Sequence, residues 1–139
     1  LIALLLVIGN ALGSNMITFV NNCTVQVQVV RQPSGANSGP SSSLYVVLAP
    51  GQTTSGDFTL QDNIFTNGFD GHTKAHIYTN VMAIELYRIS VSAGFDTPMQ
   101  IKSDQIGAPV LTCGWAGCDN TLAAASMQGS NYTLTFCPS

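Results

Sequence analysis

The stretch CTVQVQVV, residues 23–30, alternates polar and apolar side chains with a period of two, and the same pattern recurs along the chain. Val25, Val27 and Val29 point one way while Thr24, Gln26 and Gln28 point the other, as a half-buried strand requires. NYTLTF repeats the pattern through Tyr132, Leu134 and Phe136, and LYRISVS through Tyr87, Ile89 and Val91. MITFV, SLYVVL and AHIYTN are further runs of strand length. Between them lie the breakers RQPSGANSGPSSS, APGQTTSG, DNIFTNGFDGH and GFDTP, rich in residues that turn the chain. Short strands punctuated in this way predict an all-β fold, an antiparallel β-sandwich or barrel. One short helix is expected over DNTLAAASM, residues 119–127, with Asp119 or Asn120 as its N-cap.

The 139 residues suffice for one domain. Seven acids against four bases leave a net charge of −3. Arg31, Lys74, Arg88 and Lys102 are scattered, so no basic stripe follows a phosphate backbone and nucleic acid is not an expected partner. The opening LIALLLVIGNALGSN has an apolar run over residues 1–8, followed by the small-x-small pattern Ala11-Leu12-Gly13. The expectation is a signal peptide over residues 1–13 and a secreted domain over residues 14–139. The run is too short for a membrane span, which needs about 20 apolar residues.

Cys23, Cys113, Cys118 and Cys137 permit three pairings. Cys23–Cys137 and Cys113–Cys118 are favoured: the first closes nearly the whole domain, a constraint of about 4–5 kcal/mol in the chain-entropy model, and the second closes the small loop CGWAGC. A zinc site lacks a second pair at ligand spacing. Asn22-Cys23-Thr24 and Asn131-Tyr132-Thr133 are glycosylation sequons, and Asn131 is the better acceptor because Cys23 is expected in a disulfide.

Asp70, His72 and His76 are evenly spaced, so an extended strand would align them, but Lys74 shares that face and repels a cation; no metal is expected. No nucleophile has a triad context, and no cofactor is implied. Sugar recognition uses aromatic faces with polar edges. Trp115 at a loop tip, with Tyr78, Phe65 and Phe69, are the candidates. Asp96 in GFDTP reads either as a site acid or as a turn residue bonding nearby backbone N–H groups.

ITFVNNC, LAPGQTTSG, YRISVSAGFDTPMQI and YTLTFCP occur in an order that resembles the thaumatin-like (osmotin-like, pathogenesis-related 5) proteins, from Met16 to Pro138. The resemblance implies a β-sandwich core with its first and last cysteines joined. Only 18 residues separate Cys118 from Cys137, so the family's disulfide-rich second domain is nearly absent and the chain resembles a reduced form. The family's acidic cleft binds β-1,3-glucans and in some members cleaves them. Carried over by position, its two signature acids fall at Arg88 and Ala93, its Asn at Asp96, and its Arg at Asn80; Glu85 is the candidate for its Glu.

Glycoside hydrolysis needs two carboxyl groups roughly 5–10 Å apart. Glu85 and Asp96 are the weak catalytic candidates, with Asp57 or Asp70 as another second acid, and Arg88 is expected to pair with Glu85. The losses favour binding over cleavage. The resulting expectation is a secreted protein recognising cell-wall polysaccharide of the β-1,3-glucan type, in a defence, effector or wall-associated role, through Arg88, Asp96, Trp115 and Tyr78. The alternatives are an endo-β-1,3-glucanase using Glu85 and a second acid, and an extracellular assembly protein that self-associates through its edge strands.

Overall fold

A computed structural model of the chain describes residues 15–33, 41–59, 62–81, 84–118 and 123–139. The expected signal peptide, residues 1–13, lies outside them. Among the described residues, eleven strands form two sheets. The first sheet contains β1 (Met16–Asn21), β4 (Thr53–Asp57), β8 (Met99–Ser103), β9 (Leu111–Cys113) and β11 (Tyr132–Phe136), in the order β4-β1-β11-β8-β9. The second contains β2 (Val27–Pro33), β3 (Ser43–Leu48), β5 (Asp62–Asn67), β6 (Lys74–Val81), β7 (Ile84–Ser90) and β10 (Ala124–Met127), in the order β10-β7-β6-β5-β2-β3. All pairs are antiparallel except β1 with β11.

The period-two pattern explains the packing. Ile17, Phe19, Met99, Ile101, Leu134 and Phe136 turn inward from the first sheet, and Val29, Phe65, Ala75, Ile77, Tyr87 and Ile89 from the second; all are fully buried. Burial of each such side chain contributes about 1.5–3 kcal/mol. Phe19, Phe58 and Phe65 meet edge-on with centroids 4.9–5.9 Å apart, the arrangement ring quadrupoles prefer. Cys23–Cys137 and Cys113–Cys118 are both disulfides, as expected.

Two local expectations are corrected. Ala124–Met127 is strand β10, not helix: Ser126 pairs with Glu85 and Met127 with Ile84. A free sheet edge beside β7 outweighs the helix propensity of two alanines. Ala123 has no regular secondary structure, and residues 119–122 of that expected helix lie outside the described residues. Val25 is 64% exposed, and the strand begins only at Val27, because Asn21 Nδ2 donates to the Val25 carbonyl and holds a turn there.

Candidate functional site

The β6–β7 register sets His76 opposite Arg88 and Tyr78 opposite Leu86. Their inward neighbours are Ala75, Ile77, Tyr87 and Ile89, so Lys74, His76, Tyr78 and Arg88 share the outer face of the six-stranded sheet. Asp62, opposite Tyr78 on β5, joins them. Two of the four expected binding residues, Tyr78 and Arg88, are therefore brought together. His76 is only 8% exposed, and its Nδ1 lies 2.7 Å from the Tyr78 hydroxyl. Its pKa is lowered to about 4, first by burial and then by the charges of Arg88 and Lys74. Arg88 Nε and Asp62 Oδ1 are buried without a hydrogen-bond partner. The expected row of Asp70, His72, Lys74 and His76 is not formed, because β6 starts at Lys74 and both Asp70 and His72 lie exposed in the preceding loop.

Glu85 overturns its expectation. It alternates with Leu86 and Arg88 and so faces inward, with 0% exposure. Its carboxylate accepts from Asn15 Nδ2 at 2.7 Å and from the Tyr132 hydroxyl at 2.8 Å. Burial and the adjacent carboxylate raise the Tyr132 phenol far above its ordinary value. Ser130 O accepts a second bond from Asn15 Nδ2, and the Ser126 hydroxyl bridges those of Ser103 and Ser130 at 2.7 Å each. Glu85 is thus part of a buried polar network. The expected pair with Arg88 fails on strand parity: the two side chains leave opposite faces of β7.

Asp96 lies at the other end of β7. Its carboxylate accepts from the backbone N–H of His72 at 2.6 Å and of Thr73 at 3.2 Å, while Asp96 N and Thr97 N both donate to Thr73 Oγ1. Partial burial raises its pKa, but the N–H groups of His72 and Thr73 and the side chains of Thr73 and Thr97 outweigh that and hold it below the usual value. This is the turn-residue role, clamping the 94–98 corner to the start of β6. Gly94, at φ +121°, permits the corner. With about 3.3 Å per strand residue, Glu85 and Asp96 lie more than roughly 15 Å apart, too far to flank one glycosidic bond. Of the other acids, Asp57 accepts from the backbone N–H of Thr59 at 3.0 Å.

Cys113 pairs with Met99 across antiparallel strands, so the Trp115 loop projects from the same end as Asp96. Trp115 is 66% exposed. Its ring lies across Gly117, where an added Cβ would fall 1.9 Å from ring atom Cζ3. One ring face is thereby seated on backbone and the ring is held at the tip of the disulfide loop. Phe69 is also exposed, at 59%, whereas Phe65 is a core residue: its odd parity in β5 sends it inward, correcting its place among the exposed aromatics.

Both sequon asparagines are exposed. Asn131 Nδ2 donates to Asp104 at 3.0 Å and its Oδ1 accepts from Met16 N, so a glycan there would displace the Asp104 bond. Asn22 lines a cavity of about 300 Å³ with Val25, Asn67, Asp96, Pro98 and Cys137. A larger groove of about 550 Å³ was not foreseen from the sequence. It lies between residues 104–110 and outward hydroxyls of the five-stranded sheet, and includes Thr18, Thr133, Lys102, Ile106 and Val110. Its one sequence signal is the Gly- and Pro-bearing segment after β8, where Ile106 is left 98% exposed.

Among the described residues no three His, Cys, Asp or Glu side chains gather as metal ligands, and no helix is long and apolar enough to cross a membrane.

No family model matches the chain, and no curated protein matches its sequence. Solved structures do. The thaumatin-like xylanase inhibitor TLXI superposes with a TM-score of 0.67 at 21% identity, covering 88% of this chain and 99% of that one. The protein elicitor MoHrip2 from Magnaporthe oryzae gives 0.66 at 20% identity, covering 89% and 99%. At these identities the likeness establishes the fold, and the nearly complete coverage of both neighbours matches the reduced form expected from the sequence.

Proposed function

Given a thaumatin-like sandwich of reduced size, we propose that the chain is a secreted, defence-type recognition protein that binds extracellular polysaccharide without cleaving it. The observation that carries this reading is Trp115, two-thirds exposed and seated on Gly117 in a disulfide-closed loop. A fixed, exposed indole offers a flat surface to the C–H face of a pyranose at little entropic cost. Two disulfides fit an oxidising compartment. One neighbour is a xylanase inhibitor and the other a protein elicitor by their names, which supports a defence-type role. Co-sedimentation with insoluble β-1,3-glucan tests the reading. Binding should weaken by about tenfold or more in Trp115→Ala, the loss of one hot-spot aromatic, with no reducing sugar released from laminarin. Reducing sugar released from laminarin by the purified chain would instead establish a hydrolase.

A second reading, self-association, is favoured by β3. It is an edge strand on which Leu44, Tyr45 and Val47 are 46%, 38% and 40% exposed, an apolar edge of the kind that pairs with another chain. A sedimentation coefficient that rises with concentration, and no longer does in Val47→Lys, supports it.

A further inference from the structure

The chain is acidic, with four Lys and Arg residues against seven Asp and Glu. Lys74 and Arg88 nevertheless fall together on the outer face of the six-stranded sheet, around His76. Lys74 is two residues before His76 on β6, and Arg88 is its direct partner on β7. Cross-strand partners stand about 5 Å apart at Cβ and alternate residues of a strand about 7 Å, so the three side chains reach one small group. Arg88 Nε is buried with no acceptor. Asp62 is the acid on this face, one pair away opposite Tyr78, and its buried Oδ1 is likewise without a partner, so base and acid do not satisfy each other.

We propose that this face binds an acidic polysaccharide, with a uronate carboxylate seated between Arg88 and Lys74 above His76 and the Tyr78 ring beside the sugar. The proposal rests on the recognition reading and adds to the Trp115 loop a second surface, selective for carboxylate-bearing glycans. A guanidinium fork matches a carboxylate with two parallel bonds, here from its terminal nitrogens. Lys74 adds a point charge. A neutral glucan offers only hydroxyls and leaves both cations uncompensated.

The face also gives the interaction a pH dependence. His76 is surrounded by Lys74 and Tyr78 on β6, Arg88 on β7 and Ile64 on β5, with Asp62 one pair further on. Burial and the two cations hold it neutral, with a pKa of about 4. A bound carboxylate offsets those cations and favours the imidazolium, so binding takes up a proton. Affinity therefore rises as pH falls from about 6 towards 4.

The test is calorimetric titration of the intact chain with oligogalacturonate and with laminari-oligosaccharide of equal length, between pH 4.5 and 6.5. Oligogalacturonate should bind about tenfold or more tightly than the neutral chain, and Arg88→Gln should cancel that preference. Arg88→Lys, which keeps the charge without the fork, should fall between. His76→Gln should flatten the pH profile. Equal binding of both sugars, unaffected by Arg88→Gln, overturns the acidic-glycan proposal while the recognition reading stands. Binding of neither overturns both. Equal, Arg88-dependent binding of poly-glutamate or dextran sulfate overturns the assignment to a uronate.

Discussion

The two ends of the sandwich hold an acid in different ways. At one end Glu85 is fully enclosed and held by Asn15 and Tyr132, with Ser126 and Ser130 behind them. At the other end Asp96 stays at the surface, held by backbone N–H groups, beside both disulfides and the Trp115 loop. The first end is closed by side-chain hydrogen bonds that need low dielectric to hold. The second is closed covalently and by local turns, which leaves its loops free to present an aromatic ring. An acid in a sequence motif is thus a poor guide to chemistry until its face and end are known.

If the loop end relies on its covalent staple, the largest effect comes from removing it. Cys23→Ser with Cys137→Ser opens a closure spanning 114 residues and should cost about 4–5 kcal/mol, lowering Tm by roughly 15 °C in calorimetry. Next comes the sealed end: Glu85→Ala leaves two buried donors without an acceptor and should cost about 3–4 kcal/mol in denaturant unfolding. A loss below about 1 kcal/mol would mean that water enters that end and that it is not sealed.

Asp96→Asn should be milder and pH-dependent. Its lowered pKa means that ionised Asp96 favours the folded chain. The contribution is complete above about pH 4, the unfolded value, and fades as pH falls through the lower folded value. The stability gap between wild type and variant should therefore close in acid, read from unfolding curves between pH 2 and 6. Smallest for stability is Trp115→Ala, within about 0.5 kcal/mol as for other surface sites, although under the proposed function it should weaken glucan binding about tenfold. Gly117→Ala sharpens this by keeping the indole while driving it off its seat; binding should fall although no aromatic is lost.

Much of this architecture was legible. Strict alternation in YTLTF and YRIS fixed which residues point inward, and chain closure favoured the observed disulfides. The same alternation already contained the fate of Glu85, since it shares parity with Tyr87 and Ile89, both core residues; family position drew attention to its charge and away from its parity. Ala124–Met127 was less readable, because the decisive partner is β7, some 40 residues earlier, and a local propensity cannot see it. The cationic face was hidden for a related reason. Lys74 and Arg88 are 14 residues apart and meet only through the β6–β7 register. The 550 Å³ groove depends on how a loop lies over a sheet, which no periodicity encodes.

The parallel pairing of β1 with β11 carries a consequence for how the molecule is made. Ile17 meets Tyr132 at the centre of the five-stranded sheet, so that sheet lacks its middle until the last strand has left the ribosome. Within the other sheet, β5, β6 and β7 pair with their sequence neighbours and can assemble first. Long-range closure of this kind slows folding. Removing residues 132–139 should therefore leave β1 and β8 without the strand between them, and a ribosome-arrested chain of that length should remain sensitive to protease over residues 15–21 while residues 62–90 are already protected.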